Sequence, residues 1–202
     1  QVIPPEVRPA AVGEIAPYCE SHISPTPATR LLKYPEKLSH AFRTEQPHVI
    51  GFSNYVWNAQ LSYEFAKVIK AKFPRTTVVM GGPNFPLSKE HQESFLRARP
   101  AIDFFIEKEG ELPFCNLIRR LMELEFDIER VKKEKLGGVR SIAADGMFCA
   151  GSVMERINDL SEIPSPYLSG KLDEFFDGKL MPIIQTTRGC PFTCTYCVEG
   201  NN

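Results

Sequence analysis

The chain has 202 residues, 43% of them hydrophobic and 24% charged, with a formal net charge of -1. That length provides one sizeable core and an appendage, with the composition of an ordinary globular protein. The balance of 24 Lys and Arg against 25 Asp and Glu argues against a nucleic-acid partner, because phosphate-binding surfaces carry a basic excess. No apolar run approaches the ~20 residues of a membrane span, and no basic-then-apolar signal peptide opens the sequence, so the cytoplasm is the expected compartment.

Both ends read as cut. The sequence opens on Gln1-Val2-Ile3-Pro4-Pro5 without an initiator Met and stops five residues after Cys197, as expected for a piece excised from a larger enzyme. Val2-Ile3 reads as the stump of a first strand. Residues 10–22 suit a helix with Val12, Ile15 and Cys19 on one face. Ser24-Pro25-Thr26-Pro27 is a linker, and residues 31–43 look helical despite Pro35.

From Pro47 a β/α alternation sets in. Residues 48–53 form a short continuous apolar run, as in a parallel strand covered on both faces. A helix follows, with Leu61, Phe65, Val68 and Ile69 as its apolar stripe. Residues 76–80 are a second strand and residues 87–99 a helix with Ser88 as N-cap and Phe95 and Leu96 turned inward. Residues 102–106 are a third strand, and residues 111–124 a helix that turns Phe114, Ile118, Leu121 and Met122 to the sheet. This spacing predicts an α/β fold, a Rossmann-like doubly wound parallel sheet.

In such sheets ligands bind outside the carboxyl ends of the strands. Those ends are Ser53-Asn54-Tyr55, Gly81-Gly82-Pro83-Asn84-Phe85 and Glu107-Lys108-Glu109-Gly110-Glu111. Donors at Ser53 and Asn54, bare backbone at the two glycines, and the rings of Tyr55 and Phe85 suit a large flat ligand with a long polar tail. The bland alternative is a tight turn at Gly81-Gly82 and a solvated acidic helix entry.

Asp145-Gly146 predicts a hairpin turn between residues 139–143 and 147–150. The prolines of residues 159–166 predict a stiff interdomain segment. Residues 181–187 read as a further strand that delivers the last motif.

That motif is Cys190-Pro191-Phe192-Thr193-Cys194-Thr195-Tyr196-Cys197, a C-x3-C-x2-C spacing of three soft thiolate ligands. Iron–sulfur clusters demand such ligands, and a four-iron cluster held by three leaves one iron open. A zinc site would need a fourth ligand that residues 198–202 do not supply, and a dithiol redox pair at Cys194 and Cys197 would leave Cys190 without a role. Cys19, Cys115 and Cys149 are scattered and read as buried thiols, not as a disulfide framework.

The cysteine loop resembles that of radical S-adenosylmethionine enzymes. The resemblance implies that Cys190, Cys194 and Cys197 hold a 4Fe-4S cluster, whose open iron chelates S-adenosylmethionine for cleavage to a 5′-deoxyadenosyl radical, with Tyr196 near the adenine. Strands ending in Gly-Phe-Ser, Gly-Gly-Pro and Glu-Gly-Glu ahead of that loop resemble the cobalamin-binding subgroup, over about residues 47–198. The subgroup implies a domain that holds cobalamin over the strand ends. Ser53 and Gly81-Gly82 match the segments that line its nucleotide tail, and Glu109, Gly110 and Glu111 match its third strand end; with Asn54, Tyr55 and Pro83 from the same strand-end loops they are the expected cofactor-binding residues.

Two departures stand out. None of His22, His40, His48 and His91 has Asp two residues before it, so the Asp-x-His-x-x-Gly motif that supplies a lower cobalt ligand is absent. Tyr55 stands where the mutase-type pattern has Leu.

The organisation implied is a cobalamin-binding-type domain over 1–135, a hairpin and Pro-rich linker over 136–180, and the first strand and loop of a radical S-adenosylmethionine partial barrel over 181–202. The parent enzyme would act on a small-molecule substrate, need an electron donor to reduce its cluster, and transfer a methyl group or perform related radical chemistry. The chain by itself would not turn over, since one barrel strand cannot enclose a radical. A radical enzyme whose domain binds no cobalamin, and a nucleotide-binding module with an incidental metal loop, are the alternatives. Against the second, no G-x-G-x-x-G follows a strand.

Overall fold

The computed structural model describes residues 10–185, 187–189, 192, 194 and 195. Val2-Ile3 lies outside the described residues. Three parallel strands form the centre, β1 (Val49–Ser53), β2 (Thr77–Gly81) and β3 (Phe104–Ile106). β4 (Val139–Ile142) and β5 (Phe148–Ala150) extend the sheet antiparallel, giving the order β1-β2-β3-β4-β5. Thr77 to Met80 are all buried, as an apolar central strand must be when both of its faces are covered.

The covering is helical on both sides. On one face α3 (Ala59–Lys72) and α4 (Lys89–Arg97) pack on Val78, Met80 and Phe105. On the other, α1 (Ala10–His22) and α5 (Glu111–Glu123) pack on Val79, Phe104 and Ile106. Neighbouring strand residues thus alternate between the two layers, the period-two geometry of a pleated strand. The result is the expected Rossmann-like α/β architecture, with the hairpin as its antiparallel edge. Among the described residues no helix is long and apolar enough to cross a membrane.

Several local expectations change. The helix predicted over 31–43 starts only at Pro35 and forms α2 (Pro35–Thr44), because proline lacks an N–H and is tolerated in the first turn alone. On α3, Leu61 and Val68 are exposed, and Ser62, Ala66 and Ile69 face the sheet. Small residues there let the helix lie close to the strands. The 139–150 hairpin is not a free connector, because Val139 and Arg140 pair with Ile106 and Phe105. The short α6 (Ile128–Lys132) leads into it. The segment expected to be a stiff linker leads into residues that are docked: Leu172 and Phe175 are fully buried in a small core with Ala16 and Leu31.

The strand expected over 181–187 is not seen among the described residues. Met181 forms an isolated bridge and residues 182–185 have no regular structure. A strand needs a paired neighbour along its length, and here one residue finds one.

Buried charge ties the layers together. Asp103, 2% exposed, accepts the Val78 N–H at 2.8 Å and pairs with Lys70 at 2.5 Å and Lys132 at 3.0 Å.

Candidate functional site

Register places the site. Ser53 lies beside Gly81, and Gly81 beside Ile106, so the three parallel strands end level and their following loops emerge together. These loops line a cavity of ≈ 2120 Å³ that runs back along β1 as far as His48. Small-ligand pockets are usually ~300–1,000 Å³, so this space suits an unusually large ligand.

Ser53, Tyr55, Gly81, Gly82, Pro83, Glu109, Gly110 and Glu111 all line this cavity. Asn54 does not. It is 1% exposed, its amide donates to the Asn84 carbonyl at 2.6 Å, and its backbone accepts the Asn84 N–H at 3.1 Å. Asn54 therefore clamps the first strand-end loop to the second, away from the cavity wall. Phe85 also serves the core more than expected, stacked on Phe105 at 3.7 Å between ring centroids.

Sequence reasoning missed Trp57 and Asn58. Trp57 stacks on Tyr55, 4.7 Å between centroids and 10° from parallel, and both rings line the cavity beside the exposed Leu61. Burial pushes the Tyr55 hydroxyl pKa up, which keeps this wall uncharged. Asn58 is buried and shapes the loop: its side chain accepts the Tyr55 N–H at 2.7 Å and donates to Ser53 Oγ at 3.1 Å. Ser53→Ala is expected to cost about 0.5–1.5 kcal/mol in urea denaturation, because it strands that amide donor. A variant as stable as wild type would show that the hydrogen bond contributes nothing.

The third strand end is occupied from within the chain. Arg188 Nη2 donates to Glu14 at 3.0 Å and to Glu111 at 2.6 Å, and Nη1 donates to Glu109 at 3.2 Å. Burial works against the Arg188 charge, but Glu111, Glu109 and Glu14 together more than reverse this and hold its pKa up. The Glu14 carboxyl is raised, first by burial and then by its neighbour Glu111, with Arg188 opposing. Glu109 and Glu111, read as ligand contacts, thus hold an arginine two residues ahead of Cys190. No periodic signal reveals a pairing across 77 residues.

Of the cysteine motif, Cys194 is half-buried and a free thiol. Cys190, Cys197 and Tyr196 lie outside the described residues.

Comparison with known proteins gives this site its context. The chain is 30% identical over 162 residues to "Cobalamin-dependent radical SAM methyltransferase TokK" of Streptomyces tokunonensis, covering 77% of this chain and 22% of that protein. It is 31% identical over 161 residues to "2-(S-pantetheinyl)-carbapenam-3-carboxylate methyltransferase" of Streptantibioticus cattleyicolor, with the same coverage. The chain thus spans under a quarter of the length of these curated relatives. The solved structure "Cobalamin-dependent S-adenosylmethionine radical enzyme OxsB with aqua-cobalamin bound" superposes with a TM-score of 0.69 at 20% identity, over 96% of this chain and 26% of that one, which establishes the shared fold. The family model described as "B12 binding domain" matches residues 17–118, half of the chain and the stretch holding β1, β2, β3 and their loops, and the chain belongs to that family.

Proposed function

We propose that this chain is the cobalamin-holding domain of a radical S-adenosylmethionine enzyme, a methyltransferase-like one, with Cys190, Cys194 and Cys197 as ligands of its 4Fe-4S cluster. The observation that carries the reading is the level set of strand ends around a cavity of ≈ 2120 Å³ in a chain of the B12-binding family.

The residues present suit the cofactor. Tyr55, Trp57 and Leu61 offer an apolar wall to a flat ring system, and Gly81 offers backbone without a side chain to a polar tail. Three clustered thiolates are the donor set an iron–sulfur cluster requires. Bound cobalamin would supply methyl-carrier chemistry, and the cluster with S-adenosylmethionine a source of radicals. The chain's own part is to bind, orient and exclude water: Asn54 and Asn58 fix the loop geometry, and the segment of Ile183, Ile184 and Arg188 lies along the cavity wall. Cytoplasmic location, a small-molecule substrate and an external electron donor belong to the same proposal.

Titration with hydroxocobalamin, followed in the visible spectrum, tests the cofactor. Saturable binding is expected, and His48→Ala should leave the bound spectrum unchanged. His48 sits at the amino end of β1, stacked on Phe126, a strand's length from the carboxyl ends. No binding at high micromolar cobalamin would leave the cobalamin-free radical enzyme as the better reading.

A further inference from the structure

Arg188 is 10% exposed, although it lies in a segment without regular structure. Its three carboxylate partners come from α1, from the loop after β3, and from the first residue of α5, so sequence neighbours do not explain its position. Glu111 is 3% exposed, and its Oε2 has no hydrogen-bond partner among the described residues. A carboxylate so desolvated needs a cation, and among the described residues Arg188 reaches it at hydrogen-bond distance, at 2.6 Å. Glu109 is shared with Arg156, 3.7 Å away, and a Cβ at Gly189 would collide with that guanidinium. The same segment is tied once more upstream, where the Tyr167 hydroxyl donates to the Ile183 carbonyl at 2.8 Å and accepts the Ile183 N–H at 3.0 Å.

We propose that Arg188 is a positioning residue: it latches the segment leading into the three cysteines against the carboxyl end of β3, with Glu14, Glu109 and Glu111 as its receptor. The latch fixes the chain at the cavity wall two residues ahead of Cys190, since Arg188 itself lines that cavity. An arginine suits the task because its planar fork can engage several carboxylates at once, whereas a lysine is a point charge that can satisfy fewer. The functional meaning rests on the cysteines being cluster ligands; the latch itself does not.

Hydrogen exchange by mass spectrometry on the intact protein tests this, with Arg188→Gln, Arg188→Lys and Glu109→Gln beside wild type. Arg188→Gln is expected to speed exchange at residues 182–189 at least tenfold while β2 keeps its protection and iron content is unchanged. Arg188→Lys should restore part of that protection. Unchanged exchange at 182–189, an equal loss across the whole sheet, or a lysine variant no better than glutamine would overturn the proposal. Should Arg188→Gln not fold, Glu109→Gln decides, with a smaller rise, about threefold, expected at the same residues and no rise counting against the latch. Hydroxocobalamin titration of the same proteins keeps the two readings apart, because the exchange comparison holds whether or not cobalamin binds.

Discussion

Gly82→Val is expected to destabilise the fold by about 2–6 kcal/mol, combining an unfavourable backbone conformation with an overpacked contact. Gly82 has φ +128°, where side chains are rarely accommodated, and a Cβ there would stand 2.8 Å from the Asn54 carbonyl oxygen. The glycine is demanded by the crossing of the first two strand-end loops, the crossing that the Asn54–Asn84 bonds fasten. Loss of cobalamin binding in this variant would therefore say nothing about contact with the cofactor. Gly81 is the informative neighbour. A Cβ there meets Ile106 at 3.4 Å, an ordinary contact, so Gly81→Ala should keep its stability within about 1 kcal/mol of wild type. If the cofactor's tail lies on that backbone, Gly81→Ala should weaken hydroxocobalamin binding about tenfold, or about 1.4 kcal/mol. Wild-type affinity in Gly81→Ala would move the tail elsewhere, and wild-type urea stability in Gly82→Val would refute the steric account.

The parts of this fold that could be read from the sequence are those set by local pattern. Continuous apolar runs gave β1 and β2, and α5 turned Phe114, Ile118 and Leu121 to the sheet as its spacing required. Ser88 caps α4 by accepting the His91 N–H, as its place before the helix suggested. What escaped depends on partners far along the chain. Leu61 looked like core because it stands at helical spacing from Phe65, but it faces the cavity, and the α3 face that meets the sheet is built from Ser62, Ala66 and Ile69. The hairpin was evident from Asp145-Gly146, whereas its docking on β3 is carried by backbone pairing that leaves no trace in side-chain pattern. The Glu-Gly-Glu stretch marked the third strand end correctly, but the partner of its carboxylates, Arg188, is visible only in three dimensions.

Glu107→Ala should be among the most damaging single changes, costing about 3–5 kcal/mol, because it leaves a buried guanidinium without its counter-charge. Arg140 is 2% exposed on β4 and pairs with Glu107 at the end of β3. Its other nitrogens are spent on Gln92 Oε1 at 3.1 Å, the Val139 carbonyl at 3.1 Å and the Gly151 carbonyl at 2.9 Å, so none of them offers a second negative charge. Burial pulls the Arg140 pKa below the usual arginine range and Glu107 recovers only part of the loss, so the carboxylate is what partly offsets the desolvation. Gln92 joins the two by donating to Glu107 at 3.1 Å, and in this way α4, β3 and β4 meet in one buried polar network. Since Glu107 also fixes the start of the loop that carries Glu109 and Glu111, its loss should loosen the cavity wall as well as the sheet. Arg140→Met keeps most of the volume and removes the charge, so it should cost less than Glu107→Ala. Combining the two should recover stability relative to Glu107→Ala alone, because the stranded charge is gone. Urea unfolding of the four proteins reads this cycle directly. A Glu107→Ala variant within about 1 kcal/mol of wild type, or a double variant less stable than Glu107→Ala, would mean that water or Gln92 already compensates Arg140.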